Sequence, residues 1–410
     1  MIQTKKPKIL LAFSGGLDTS AIIPWLKEHY NGEVLAYCAD CGNAPDEQAL
    51  RKWALELGAC ELIYEDLKDT FTENYVSLAL RANAVYQDDY LLGTALSRPL
   101  IAQRMAYFAK SRNVQYIAHG ATGKGNDQIR FEKSWAYLVP DIEIIAPWKL
   151  WPYTGRADLN QYLAGKGLPL QSEEKKYSVD VNLFHRSTEG DILENPADEY
   201  DPKEVYKWVT PPGEQNHDSR IVKLQFKNGF ATHLNDEYIK PSELLSQLNK
   251  LAGAAGVGVL DLVEGRANGI KSRGLYETPG GTLLHFCIKS LKHLCWDRNL
   301  MNISRNLAQQ FGELIYDGDW HSSSTQAILA FFAAAAKTLS GTIKLRLQNG
   351  HMTVLERSSK YSLYDEMSVT FESDNSGLHK HSLGYCKTIT FNNHLAGLRD
   401  QRNGNFNSEL

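Results

Sequence analysis

Over the first third of the chain, short strand-like runs rich in apolar residues fall at positions 8–13, 33–39, 60–64, 114–118 and 142–146. Between these runs apolar residues recur at helical spacing, as at 46–57 and 99–110. The apolar-rich runs predict strands of a parallel sheet, and the helical stretches predict the layers on its two faces. The expected fold is an α/β, doubly wound parallel sheet, whose ligands sit beyond the carboxyl ends of the strands. Pro24 falls within the first helical pattern and predicts a kink or a late start.

Further along, the pattern alternates. Residues 221–227 and 230–234 flank Asn228-Gly229, and residues 342–348 and 351–355 flank Asn349-Gly350. An Asn-Gly pair accepts the two positive φ angles that a tight hairpin requires, so each predicts antiparallel strands. With helical patterns at 242–251 and 324–339, the second half reads as α+β. The Pro/Gly-rich, charged stretch near 150–175 is the best boundary. It gives a nucleotide domain at 1–168, a second domain at 169–360 and an arm at 361–410, where apolar content thins. The polar end, 398–410, is expected to be disordered or packed on a neighbouring subunit.

Composition narrows the possibilities. Hydrophobic residues make up 43% of the 410, enough for sizeable cores, and the net charge of −4 provides no general attraction to nucleic acid or an anionic membrane. Lysines at 5, 6 and 8 mimic the start of a signal peptide, but the apolar run after them is too short. The longest apolar stretch, 327–336, is half of the roughly 20 residues a membrane span needs. A soluble, cytoplasmic protein with neither a nucleic-acid nor a membrane partner is expected. The six cysteines show no disulfide framework. Cys38 and Cys41 form a CxxC, but Cys38 lies within a strand pattern, so both are expected in the core. A redox or thiol-transfer site is the alternative.

Two glycine-rich loops carry the chemistry. Ser14-Gly15-Gly16-Leu17-Asp18-Thr19-Ser20 follows the first strand and opens a helix. Adjacent glycines let the backbone approach a polyanion, while hydroxyls and free helix amides point at it. The loop lacks the Lys-Ser/Thr of a Walker loop and the third glycine of a dinucleotide loop. It resembles the pyrophosphate loop of the ATP pyrophosphatase superfamily, which implies release of pyrophosphate and formation of AMP. The second loop, residues 119–130, gathers glycines with Lys124, Thr122 and Asn126. Gly123-Lys124-Gly125 is a second anion site, Asn126 or Asp127 caps the next helix, and Asp127 and Arg130 share a face on which they can meet a zwitterion. Thr94, Ser97 and Arg98 are expected at an exposed helix start with Pro99 in its first turn. Tyr177-Ser178, Arg186-Ser187 and residues 264–276 add polar groups expected in loops.

AFSGGLDTS (12–20), YLLGTALSRP (90–99), HGATGKGNDQIRFE (119–132), ILENP (192–196), IKSRGLYETPGGT (270–282) and YSLYDEM (361–367) occur in one order and spacing. By these motifs the chain resembles the argininosuccinate synthase family over nearly its whole length. The resemblance implies an adenine nucleotide alpha hydrolase-like nucleotide domain, a synthetase domain and a C-terminal oligomerisation arm. It implies ATP-dependent condensation of citrulline with aspartate, giving argininosuccinate, AMP and pyrophosphate, with Mg²⁺ and a homotetramer.

Carried over by position, the ATP contacts fall on Ala12, Phe13, Ser14, Gly15, Gly16, Leu17, Asp18, Thr19, Ser20, Ala39 and Gly120. The aspartate contacts fall on Thr122, Asn126 and Asp127. The citrulline contacts fall on Tyr90, Asn126, Arg130, Ser178, Ser187, Glu264 and Tyr276. Asp127 is the candidate for ordering the attacking amine, and Asp18 for serving the loop or metal; no cluster of protein metal ligands is expected. The chain departs from the family pattern at Gly42-Asn43, at Gly265 and over its last 40 residues. The rival readings are a tRNA-modifying pyrophosphatase using Cys38 and Cys41, and a non-catalytic nucleotide-binding module.

Overall fold

β1 (Lys8–Ala12), β2 (Glu33–Asp40), β3 (Glu61–Asp66), β4 (Tyr116–Ala118) and β5 (Glu143–Ile145) form one sheet in the order β3-β2-β1-β4-β5. They belong to a computed structural model that describes residues 6–122, 125–168, 176–215, 218–369 and 377–404. All neighbouring strands are parallel. Ile9 and Leu11 pack into one apolar cluster with Ile22 and Leu26, whereas Leu10 packs into another with Met105 and Trp135. Burial on both faces is why these strands carry no polar alternation. The strand order reverses between β1 and β4, so the two loops that leave them lie side by side.

Helices α1 (Leu17–Tyr30), α2 (Glu47–Glu56), α3 (Gly93–Ser111) and α4 (Asp127–Leu138) belong to this half. Asp46 caps α2 by accepting from Ala49 N at 2.9 Å. One expectation is narrowed and another needs correction. Pro24 is buried inside α1, whose start at Leu17 is not delayed. α3 begins at Gly93 rather than Pro99: Leu92 turns into the left-handed region at φ 66°, and its carbonyl accepts from Leu96 N at 3.0 Å. Thr94, Ser97 and Arg98 therefore lie within the first two turns, and Ser97 is buried. Polar residues inside the helix hid its period, and Pro99 imitated a first-turn proline.

Both Asn-Gly hairpins form. β8 (Arg220–Lys227) and β9 (Phe230–Leu234) flank Asn228 and Gly229 at φ 52° and 80°, and β13 (Gly341–Gln348) and β14 (His351–Ser358) flank Asn349 and Gly350 at 49° and 77°. With β10 (Glu237–Tyr238) they make one sheet, β10-β9-β8-β13-β14, joined by antiparallel β8 and β13. A separate sheet, β11-β12-β7-β6, comprises β6 (Ser178–Val181), β7 (Arg186–Glu189), β11 (Val259–Gly265) and β12 (Lys271–Glu277). The polar groups expected in loops around 178, 187 and 264–276 are thus largely strand residues. Helices α5 (Pro241–Ala254), α6 (Pro279–Cys295), α7 (Arg298–Tyr316) and α8 (Ser323–Ala335) pack with the hairpin sheet. Its core also takes in Phe71, Tyr75, Leu80, Leu96 and Leu100, side chains that precede the second glycine loop.

The chain divides into two compact units at residues 361 and 362. Within the second, Leu378–Ile389 and Phe391–Arg402 are helical and expose Leu383, Tyr385, Ile389 and Phe391. Among the described residues, no helix is long and apolar enough to cross a membrane. Gly123, Lys124, residues 169–175 and 405–410 lie outside the described residues, and with them the anion site expected at Gly123-Lys124-Gly125.

Candidate active site

The first loop leaves Ala12 at the end of β1, and Phe13 N ties it to β2 through Tyr37 O at 2.8 Å. Gly15 turns at φ +78°, a conformation that favours glycine, and an added Cβ would displace Leu50 Cδ1, 2.6 Å away. Gly16 is the N-cap of α1 without a side-chain cap, and the first intrahelical bond runs from Ser20 N to Gly16 O. The amides of Leu17, Asp18 and Thr19 therefore precede the helix ladder and are available to an anion. Around them Ser14 Oγ and Thr19 Oγ1 sit 3.2 Å apart, and Thr19 Oγ1 donates to Gly16 O at 3.2 Å. Ser20 instead faces inward, accepting from Trp53 Nε1 at 2.9 Å. Burial raises the Asp18 carboxyl above its ordinary range, against the pull of Arg156.

The second loop meets the first: a Cβ on Gly120 would lie 2.9 Å from Thr19 Cγ2. Ala39 lies near the end of β2 and Thr122 is exposed, its carbonyl accepting from Gly125 N. His119, fully buried, accepts from Ala121 N at Nδ1, which fixes Nε2–H toward Glu132 at 3.2 Å. At the start of α4, Asn126 makes no capping bond. Its Nδ2 donates to Tyr316 Oη at 2.8 Å and its Oδ1 accepts from Ala267 N at 3.0 Å. Arg130 donates Nε to Tyr316 O at 2.9 Å and Nη1 to Asp127 Oδ1 at 3.1 Å. It is buried, so this is not a surface ion pair. Arg98 forks two carboxylates, Asp127 Oδ2 at 2.8 Å and Asp180 Oδ2 at 2.6 Å. Burial alone would raise the Asp127 carboxyl; the Arg98 and Arg130 guanidiniums outweigh it and hold it below its usual range.

The four-stranded sheet supplies the remaining wall. Its register puts Asp180, Ser187, Tyr276 and Leu260 in one row across β6, β7, β12 and β11. A Cβ on Gly274 would meet Tyr276 Oη at 2.5 Å, so the phenol lies over Gly274 and donates to Glu264 Oε1 at 3.0 Å. Tyr90 packs 4.4 Å from the Tyr276 ring. Glu264 is 4% exposed, and its Oε2 has no hydrogen-bond partner among the described residues. Burial raises its carboxyl, against the hydrogen bonds of Tyr276 and Tyr316 and the charges of Arg130 and Arg266. A buried carboxylate oxygen accepts only, so it calls for a donor from outside the protein. Ser178 lies exposed on the edge strand β6, in line with Asp180. A cavity of about 160 Å³ adjoins Tyr90 and Tyr276 and is bounded by Leu260, Thr278 and Thr282.

Arg186, adjacent to Ser187, points to the other face. It pairs with Glu277 Oε2 at 3.1 Å, while Glu277 Oε1 accepts from Lys207 N, Trp208 N and Val209 N. Cys38 and Cys41 are buried, which pushes both thiols up to about 12. Four residues that touch these side chains were not read as contacts: Asp180 and Tyr316, His185 against the Tyr90 and Tyr276 rings, and Tyr86 against the Tyr316 ring. Only Asp180 had a signal, as an acid two residues after Ser178.

The family model described as the arginosuccinate synthase N-terminal HUP domain matches residues 8–169, and that for the arginosuccinate synthase C-terminal domain matches residues 177–396. The second match runs into the last 40 residues, over which the chain departs from the family pattern. The argininosuccinate synthase of Clostridium tetani (strain Massachusetts / E88) is 42% identical over 397 residues, 97% of this chain and 100% of that protein. That of Clostridium kluyveri is 41% identical over 401 residues, 98% of this chain and 100% of its own. For the Caldanaerobacter subterraneus subsp. tengcongensis protein the identity is 43% over 372 residues, 90% of each chain.

Proposed function

Because the chain belongs to the argininosuccinate synthase family, we propose that its two loops and the face of the four-stranded sheet form one site joining citrulline to aspartate at the expense of ATP. The observation that carries this reading is Glu264 Oε2, a buried acceptor without a donor, on the same sheet as Ser187 and Tyr276. The α-ammonium of citrulline supplies that donor, and its carboxylate meets the Arg130 donors left over by Tyr316 and Asp127. Tyr90, Ser178, Ser187 and Tyr276 complete the citrulline site. Thr122, Asn126 and Asp127 hold aspartate.

The amides of Leu17, Asp18 and Thr19, with the Ser14 and Thr19 hydroxyls, grip the outer phosphates of ATP. Ala12, Phe13, Gly15, Gly16, Ser20, Ala39 and Gly120 shape the surrounding nucleotide pocket. Asp18 suits Mg²⁺, an ion that takes one or two carboxylates and otherwise phosphates and waters; among the described residues there is no cluster of three metal-ligating side chains. When bound it would neutralise charge on the leaving pyrophosphate.

The ureido oxygen of citrulline attacks the α phosphorus, pyrophosphate leaves, and the aspartate amine then expels AMP from citrullyl-AMP. The charged, doubly paired Asp127 acts by orienting that amine rather than by removing its proton. The nucleotide work falls to 1–168 and the amino-acid work to 169–360. The arm at 361–410, with its exposed Leu383, Tyr385 and Ile389, joins a homotetramer in the cytoplasm. A thiol-transfer role has no support in two buried thiols held protonated at neutral pH. The test is exchange of labelled pyrophosphate into ATP: it must require citrulline, and exchange without citrulline or formation of ADP overturns the reading.

A further inference from the structure

We propose that Tyr316 is the positioning residue of the amino-acid site, setting Asn126 and Arg130 together from the end of α7; this rests on the reading of the site given above. Its side chain is 1% exposed and its ring stacks on Tyr86, with centroids 3.6 Å apart and planes 8° apart. Tyr90 meets it edge-on at 85°. The phenol is therefore fixed on two sides before it touches any polar group.

What it then does is divide the donors of its neighbours. Asn126 has Oδ1 occupied by Ala267 N and one Nδ2 hydrogen by Tyr316 Oη, which fixes the amide against a flip and leaves one hydrogen and one lone pair for a substrate. Arg130 gives Nε to the Tyr316 carbonyl and lies over the ring at 5.0 Å. Its plane is set, and with Nη1 giving one hydrogen to Asp127, Nη2 and the other Nη1 hydrogen face a carboxylate. Gly318, at φ +83°, makes this approach possible: a Cβ there would lie 2.7 Å from Arg130 Cα. One residue thus holds the amide that meets both amino acids and the guanidinium that meets citrulline, while making no described contact with the first loop, 14–20.

The experiment uses the full chain and the variants Tyr316→Phe and Tyr316→Leu. Phe keeps the ring, the stacking and the carbonyl and removes the hydroxyl, which accepts from Asn126 and also bonds the Glu264 carboxylate. KM for aspartate and for citrulline should rise together by about tenfold, with KM for ATP and kcat within about twofold and the melting temperature nearly unchanged. Leu removes the ring as well and should raise KM for citrulline further than KM for aspartate. On an Asn126→Ser background, Tyr316→Phe should add little to KM for aspartate, because there the two groups act as a pair, while the share of the citrulline effect that runs through Glu264 remains. An unchanged amino-acid KM in Tyr316→Phe, a loss confined to kcat, or an equal penalty in KM for aspartate on both backgrounds overturns the proposal. Wild-type exchange of pyrophosphate into ATP is measured first: if citrulline does not stimulate it, the reading of the site itself fails, whereas normal wild-type exchange with an unaffected Tyr316→Phe removes only the role of Tyr316.

Discussion

Glu264 shows how one side chain can report both affinity and pH. Burial favours its neutral form, so it takes up a proton at a higher pH than an ordinary glutamate, and the protonated acid no longer pairs with an ammonium. Citrulline KM should therefore rise on acidification, starting above the usual carboxylate range, while ATP KM stays flat; Glu264→Gln should raise KM at neutral pH and flatten the profile. Asp18→Ala and Arg130→Ala should each abolish turnover, the first through nucleotide and metal geometry and the second through citrulline capture. Near-normal steady-state kinetics in either variant removes that assignment. Asp18 and Arg130 were legible in the sequence because they sit in contiguous motifs, and Glu264 was named through the resemblance. Tyr316 was not, since its bond to Asn126 joins residues 190 positions apart and only the packed fold brings them together. Arg98 was read as an anion binder at an exposed helix start; two carboxylates hold it in the interior instead.

Among elements, the local signals were the reliable ones. Apolar-rich runs located the parallel strands and Asn-Gly located both hairpins, because each depends on neighbours in the chain. Pairing of β8 with β13 and the separate β11-β12-β7-β6 sheet depend on distant partners, and short polar strands such as Ser178–Val181 resemble loops when read alone. α6 carries a further long-range feature. Lys292 is buried between the Trp296 and Phe332 rings, donates to Ala82 O at 2.9 Å, and is brought down to about 7 by burial and by Arg81. Its ordinary value is 10.5. Between those two values the unfolded chain binds more protons than the folded one, so this residue makes stability increase as pH rises through that window. Denaturant melts of Lys292→Met should show that increase reduced, with stability at pH 7 equal to or above wild type; an unaltered pH dependence would rule out the assignment.

At the scale of the molecule, the sheet's switch point and the amino-acid wall are tied by side chains that reach from one to the other. Arg98 on α3 grips Asp180 on β6, and Asn126 on α4 grips Tyr316 on α7. The tie is also apolar: Phe71, Tyr75, Leu80, Leu96 and Leu100 lie in the same core as Leu224, Leu291, Phe311 and Leu345. Chain order and spatial order thus disagree over that stretch. Burying a large side chain is worth about 1.5–3 kcal/mol relative to leaving it in water. Dividing the gene after codon 168 would therefore produce an amino-terminal half with a sticky, solvent-facing seam and a carboxyl-terminal half missing part of its filling. Each made alone should precipitate or bind a dye specific for exposed apolar surface, and co-expression should restore soluble, ATP-consuming material. Evolution has in effect stitched the two workshops with a shared plug, so neither can be inherited or exchanged as a free-standing module.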